Sequence, residues 1–429
     1  MRQCSYACSS VEHRISRRSL LAGLAGGAAG AMGLSGFAHP AVAEQLKAAA
    51  KRVLVVFLAG GSSQLETWDP KPGTDTGGPT LAIPTSVSGV HIAELLPYTA
   101  RQMHRLAIVR SINTKEDDHG KGHYMMETGR RQEPGMSYPT IGSVAAKFLA
   151  SEAESLPGYV HVTPGGSSFG TTDSAFLGPK FASVTLGDGV LPTTAARPES
   201  LTESADRMRN EMRRRADHRF QQRRRTAETE AYSQSYEQAA ELIAKREVFD
   251  VTKESPRDLE RYGTHDFGRH MLLARRLLER GITAVKVSHS NYDTHNENFD
   301  FHIEQLGEFD RPFATMIEDL AERGMLDSTL VVVMAEFGRT PRINHLLGRD
   351  HWSAAWSVCL AGCGIQGGAV IGKTNPNGTA VADRQVGAGH LFHTYFRALG
   401  LDPTKKYVVA GQPIPMADPQ ADAIQELLA

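Results

Sequence analysis

LDSTLVVVMAEFGRTPRINHLLGRDHW, Leu326 to Trp352, is the stretch that decides how this chain is read. A short acid-capped turn leads into Thr329–Ala335, an uninterrupted apolar run rich in β-branched residues. A run without alternation predicts a strand covered on both faces, as in the parallel sheet of an α/β protein. The strand stops at Glu336-Phe337-Gly338, and Asp350-His351-Trp352 follows one loop later. In open α/β sheets ligands collect outside the carboxyl ends of strands, so polar residues here stand where a site is built. Glu336, Asp350 and His351 offer oxygen and nitrogen ligands of the kind a divalent metal takes. The other reading is a plain polar loop, with Asp350 as a cap and His351 packed.

Other strand ends repeat the pattern. Arg52–Ala59 (RVLVVFLA) is a second buried strand, running into Gly60-Gly61 and then Gln64, Glu66 and Asp69. Asp69 either swings back as a ligand or forms an Asp-Pro turn. A third strand, Leu106–Arg110, opens the densest polar cluster, Asn113 to His123. His119 and His123 share a face if a helix begins there, although Gly120 and Gly122 argue against a regular helix before Tyr124. A helix over Tyr262–Arg280, stopped by Gly281 in the C′ manner, precedes a buried strand at Ile282–Val287. Asp293 and His295 follow that strand, and Phe309–Arg323 is the next helix. Smaller elements are a helix at Pro139–Leu149 and strands at Tyr159–Val162 and Trp356–Ala361. A helix ending at Leu399-Gly400 carries His390, a further candidate ligand.

The opening stretch resembles the strand of the alkaline phosphatase and sulfatase superfamily that delivers an Asp-His metal pair. AEFGRTP (335–341) and GRDHW (348–352) more closely resemble the bacterial domain-of-unknown-function family 1501, placed in that superfamily. FLAGGSSQLETWDPKP (57–72), TGRR (128–131), YGTHDFGRHMLLARRLLERGITAV (262–285) and YDTHNENF (292–299) match the smaller family in order. The resemblance implies an alkaline phosphatase-like three-layer α/β/α sandwich with a mostly parallel central sheet. It also implies metal ligands among Asp293, His295, Glu336, Asp350 and His351. His119, His123, Arg130 and Arg339 are the candidates for catalysis, the arginines as bidentate holders of an ester anion. Two departures stand out: Gly60-Gly61 where sulfatases carry the first-strand acids, and Phe337 where relatives have a metal-binding histidine. Against the sulfatase signature that ends in Thr-Gly-Arg, His119 falls at the position of the modified cysteine, with no Cys, Ser or Thr to replace it.

The amino terminus, residues 1–43, reads as a twin-arginine (Tat) export signal. Arg17-Arg18 precede a glycine-diluted apolar run that ends in Ala41-Val42-Ala43. So many glycines make a poor membrane anchor. The expected location is periplasmic or secreted, with the Tat export machinery as a partner. The rest, 44–429, reads as one α/β domain carrying a helical excursion over 200–250. Lys and Arg total 47 against 48 Asp and Glu, a net charge of −1, which gives no electrostatic case for nucleic acid. Arg213–Arg215 and Arg223–Arg225 stand among acids without an aromatic pattern, as on a solvated helix. Four cysteines do not make a disulfide framework, since Cys4 and Cys8 precede the export signal's apolar run.

These residues support two functions. One is an exported metal-dependent hydrolase that attacks a phosphate or sulfate ester, of a small molecule or polysaccharide, with metal-activated water. Mixed carboxylate and imidazole ligands suit Zn²⁺, Mn²⁺ or Fe²⁺ better than Ca²⁺. The other is a catalytically silent binding or assembly protein that keeps the fold.

Overall fold

The opening stretch folds as a strand, Thr329–Met334, with every residue buried. It pairs in parallel with Arg52–Leu58, whose seven residues are likewise all buried. The structure is a computed structural model that describes residues 50–151, 156–165, 173–191, 200–223, 241, 244–409 and 411–428. The export signal read in residues 1–43 and part of the excursion therefore lie outside the described residues. Lys51–Ala429 forms one compact unit.

In chain order the main sheet contains β1 (Arg52–Leu58), β2 (Leu106–Ile112), β3 (Tyr159–Thr163) and β4 (Val184–Gly187). It continues with β5 (Ala284–His289), β6 (Thr329–Met334), β7 (Trp356–Ala361) and β8 (Val370–Ile371). The eight strands lie in the order β8-β2-β7-β6-β1-β5-β3-β4. All pair in parallel except β7, which is antiparallel to both β2 and β6. This is the mostly parallel α/β sheet expected. The absence of in–out alternation in β1 and β6 follows from burial on both faces.

The longer helices are α1 (His119–Thr128), α2 (Ile141–Phe148), α3 (Glu203–Arg223), α4 (Asp266–Glu279), α5 (Asn298–Glu322) and α6 (Ala388–Ala398). α4 feeds β5, and α5 carries the chain across to β6, so that β1 ends up between β5 and β6. Three boundaries differ from the sequence reading. The helix expected over Tyr262–Arg280 is two, Pro256–Tyr262 and Asp266–Glu279. Gly263 ends the first, and the His265 ring accepts the Gly268 N–H to cap the second. α5 begins at Asn298 rather than near Phe309; its polar first half is held inward by His302, which is fully buried and accepts the Ser63 N–H at 3.1 Å. The third difference is in α1, which starts at His119 in spite of its glycines. Asp118 caps it by accepting the Lys121 N–H. Gly122 is where the helix closes on the end of β6, since a Cβ there would stand 3.0 Å from the Glu336 carbonyl oxygen. The excursion contains α3, with Met208, Met212 and Phe220 exposed. Cys359 and Cys363 are buried free thiols.

Leu54 in β1 is fully buried, whereas Leu81 is 57% exposed. Leu54→Ala should cost roughly 2–5 kcal/mol, transfer plus cavity. Leu81→Ala should stay within about 0.5 kcal/mol. Denaturant unfolding of the two variants measures both. Equal losses would mean that the sheet is not the core of the fold.

Candidate metal centre

β6, β1 and β5 are adjacent, and the segments leaving their carboxyl ends meet. β6 delivers Glu336 and Phe337, β1 delivers Gly60 and Gly61, and β5 leads to Asp293. The amino end of α1 adds His119. A two-stranded ribbon pairing Gly338–Arg339 with His351–Trp352 returns His351 to the same place. Among the described residues, His119, Asp293 and His351 form a group able to hold a metal ion, with one ligand atom from each within 4.8 Å of the others.

Each ligand has a fixed orientation. His119 donates from Nδ1 to Glu336 Oε1 at 2.8 Å, which leaves its Nε2 3.4 Å from Asp293 Oδ2. His351 donates from Nδ1 to the Asp117 carbonyl at 2.7 Å, and its Nε2 lies 3.2 Å from Asp293 Oδ1. A carbonyl or carboxylate on one ring nitrogen sets the tautomer and presents the other nitrogen to a metal. Phe337 packs against both imidazoles, at ring distances of 4.9 and 4.4 Å, as an apolar wall. Burial pushes the Asp293 carboxyl up, but the Arg339 guanidinium and His351 outweigh it and hold the carboxyl down at about 2. Asp293 is therefore an anion at neutral pH.

Whether these residues suit a divalent cation can be judged from the donors. Two imidazole nitrogens and a carboxylate make a mixed set typical of Zn²⁺ or Fe²⁺. Beside them Glu336 is 4% exposed, and its Oε2 has no hydrogen-bond partner. That carboxylate orients His119 from the Nδ1 side and so presents Nε2 to the cluster. The residues fit the group.

The remaining sequence candidates separate into two sets. His295 and Asp350 flank the cluster. His295 donates from Nδ1 to Asp350 at 2.7 Å, with Nε2 3.1 Å from Asp293 Oδ1 and 3.1 Å from His351 Nε2. Arg339 is also there but turned inward. Fully buried, it donates to the carbonyls of Gly60, Gly61 and Arg349 and to Asp293 Oδ1. That leaves no fork open to hold an ester anion, contrary to the expectation. Arg130 points elsewhere, donating to the carbonyls of Pro415 and Ala417 and lying over the Tyr138 ring, because the chain's carboxyl-terminal segment packs on Gly129-Arg130. His123, one turn after His119, faces a neighbouring cavity. His390 caps its own helix by accepting the Gly387 N–H. Asp69 is paired with Lys71 and Thr374, and so does not return to the centre.

Sequence reasoning missed backbone contributions. The Gly60 N–H donates to Glu336 Oε1 at 2.9 Å, the Asp117 carbonyl orients His351, and the Arg349 carbonyl receives Arg339. No residue type signals these. The gap at Gly60-Gly61 had a visible sign in the missing first-strand acid, and the structure supplies its reason. Gly60 has φ +112°, and a Cβ there would stand 2.5 Å from the Asp293 amide nitrogen. A side chain at this position would collide with the backbone that carries Asp293.

The protein is an α/β protein with a His-Asp-His cluster beyond the carboxyl ends of its central strands. The chain belongs to the family described as "Protein of unknown function (DUF1501)", which matches residues 50–428. Comparison with curated proteins finds no match. Among solved structures the chain is similar to the lipoteichoic acid synthase LtaP from Listeria monocytogenes, at 9% identity and TM-score 0.39, covering 86% of this chain and 75% of that one. It is similar to the PsFucS1 sulfatase from Pseudoalteromonas sp., at 12% identity and TM-score 0.40, covering 90% and 74%. It is also similar to the zinc complex of the C-terminal periplasmic domain of EcEptC from Escherichia coli, at 10% identity and TM-score 0.40, covering 86% and 87%. Similarity at these values carries no activity over.

The geometry at Gly60 makes a sharp expectation. Gly60→Asp, which restores the acid of the sulfatase pattern, should destabilise the protein by roughly 2 kcal/mol or more through backbone strain and reduce metal uptake. Unfolding curves and metal titration check it. Tighter metal binding by Gly60→Asp would contradict the packing argument.

Proposed function

We propose that this chain is an exported metal-dependent hydrolase acting on a phosphate or sulfate ester of a small molecule or polysaccharide. The observation that carries the reading is the His119–Asp293–His351 cluster, with His119 oriented by Glu336. His119 Nε2, Asp293 and His351 Nε2 would hold a cation of the Zn²⁺, Mn²⁺ or Fe²⁺ kind. Such an ion supplies Lewis acidity to an ester oxygen and acidity to a bound water. The chain itself keeps Asp293 ionised through Arg339 and shields one side of the cluster with Phe337. His295, oriented by Asp350, presents Nε2 toward the cluster as the group that moves a proton at the leaving oxygen. His119 thus serves as a ligand rather than as the nucleophile. Thr114, the nearest upstream hydroxyl in sequence, is 5% exposed with its Oγ1 unpartnered, and has no part in this reading.

Export by the twin-arginine route belongs to the same proposal and rests on Arg17-Arg18 and the Ala41-Val42-Ala43 ending. Among the described residues no helix is long and apolar enough to cross a membrane. The silent binding-protein reading draws on two observations, Gly60 in place of a first-strand acid and an Arg339 whose donors are taken up by backbone carbonyls and Asp293.

Turnover of an aryl phosphate and an aryl sulfate, with each metal added to chelated protein, tests the proposal. His119→Ala should lower turnover roughly a hundredfold, and Thr114→Ala should leave it unchanged. A chelator should lower the melting temperature, because metal binding is part of the folding free energy. Full turnover in His119→Ala, or a covalent adduct on Thr114, would overturn the assignment. A chelator-sensitive protein that hydrolyses neither ester would favour the binding reading.

A further inference from the structure

α1 carries two histidines one turn apart, and they face different spaces. His119 enters the metal cluster, while Gly120 and His123 line a separate cavity of about 350 Å³. Its floor is a row across three strands. Lys286 on β5 stands in register with His161 on β3, which stands in register with Thr185 on β4. The wall is α1, through His123, Tyr124 and Glu127.

This row does not read as packing. β5 is AVKVSH, buried throughout, yet its third residue is a lysine at 3% exposure. Lys286 pairs with Glu127 on α1, 7% exposed, and lies 3.2 Å from His123 Nε2. A buried ion pair pays desolvation and is weak evidence for stability, since apolar residues of the same volume often hold a core as well or better. A polar floor and wall around an accessible space point instead to a ligand.

The charges say what kind. Glu127 is fully ionised: burial would push its carboxyl up, but Lys286 and His123 outweigh it and bring it to about 2. Lys286 is thereby neutralised. His161 is held uncharged, pushed down to about 3 by burial and by Lys286. Among the described residues the remaining charged group on the lining is an acid, Asp173. No uncompensated cation is left among them, so the cavity does not suit a second anion. Its open groups are hydroxyls that donate and accept. Tyr124 Oη accepts the Tyr138 N–H at 2.7 Å and keeps its proton to give, and Thr185 is on the lining, as is Ser183, whose hydroxyl bonds Asp173. A ligand matching them carries several hydroxyls, no net charge and roughly the bulk of one ring, since the cavity is at the small end of the usual range for ligand pockets.

We propose that this cavity is a subsite for a neutral sugar ring of a polysaccharide substrate. That the ring belongs to a substrate of the metal centre rests on the hydrolase reading; the sugar site itself does not. Binding is therefore tested without turnover.

The test is saturation-transfer NMR on the full chain with methyl glycosides of glucose, galactose, mannose and fucose, and with inorganic phosphate or sulfate as competitor. Wild-type protein should transfer saturation to the ring protons of at least one glycoside. Thr185→Phe and Ser183→Phe, which fill the cavity from the sheet and leave Lys286–Glu127 intact, should weaken that glycoside at least about tenfold. His351→Ala, which breaks the metal cluster, should leave it unchanged. No transfer to any glycoside with wild type overturns the proposal, whether or not the filled variants fold. So does equal binding by a folded filled variant, displacement by phosphate or sulfate, or loss of binding in a folded His351→Ala. Sugar binding without hydrolysis of any ester would sink the hydrolase reading and leave the sugar subsite standing. Hydrolysis without sugar binding would do the reverse.

Discussion

The guanidinium of Arg339 is the contact on which the site depends. It is wholly buried and donates to the carbonyls of Gly60 and Gly61 beyond β1, to the carbonyl of Arg349 in the returning loop, and to Asp293 beyond β5. Its own backbone is clamped by Gln64, which accepts the Arg339 N–H and donates to its carbonyl. One charged group thus ties together the segments that carry Asp293 and His351. Burying it without those acceptors would cost several kcal/mol, so the geometry of the loops and the placement of the charge are set together.

Arg349 extends the same logic. It is fully buried, pairs with the equally buried Glu66 at 2.9 Å, and donates to the carbonyls of Thr76, Thr340 and Pro341. Burial opposes ionisation of Glu66, but Arg349 and His302 more than offset it and lower its carboxyl below the usual range. Asp350 and His351 follow directly, so their positions inherit the rigidity of that anchor. The polar residues Gln64 and Glu66 after β1 are the frame that holds the ligands still. Preorganisation of this kind is what a metal or catalytic centre requires of the residues around it.

The sheet was legible because burial on both faces writes itself as uninterrupted apolar runs: β1 and β6 were read to within a residue, and the polar residues after them mark where the site is. Orientation was not legible. Nothing in the types Arg130 and Arg339 tells that one reaches the carbonyls of Pro415 and Ala417 and the other turns inward. The helix at His119 was obscured because Gly122 lowers propensity, while the reason for that glycine, the closeness of Glu336, exists only in three dimensions. Lys286 was passed over inside an apolar strand, although a lysine in such a run is the kind of local inconsistency that accompanies function.

Anomalous diffraction from crystals grown with Zn²⁺ or Mn²⁺ tests the central claim most directly. A peak is expected about 2.0–2.2 Å from His119 Nε2, from His351 Nε2 and from an oxygen of Asp293. A fully occupied peak elsewhere in the protein, or none at this cluster while metal remains bound in solution, would contradict it.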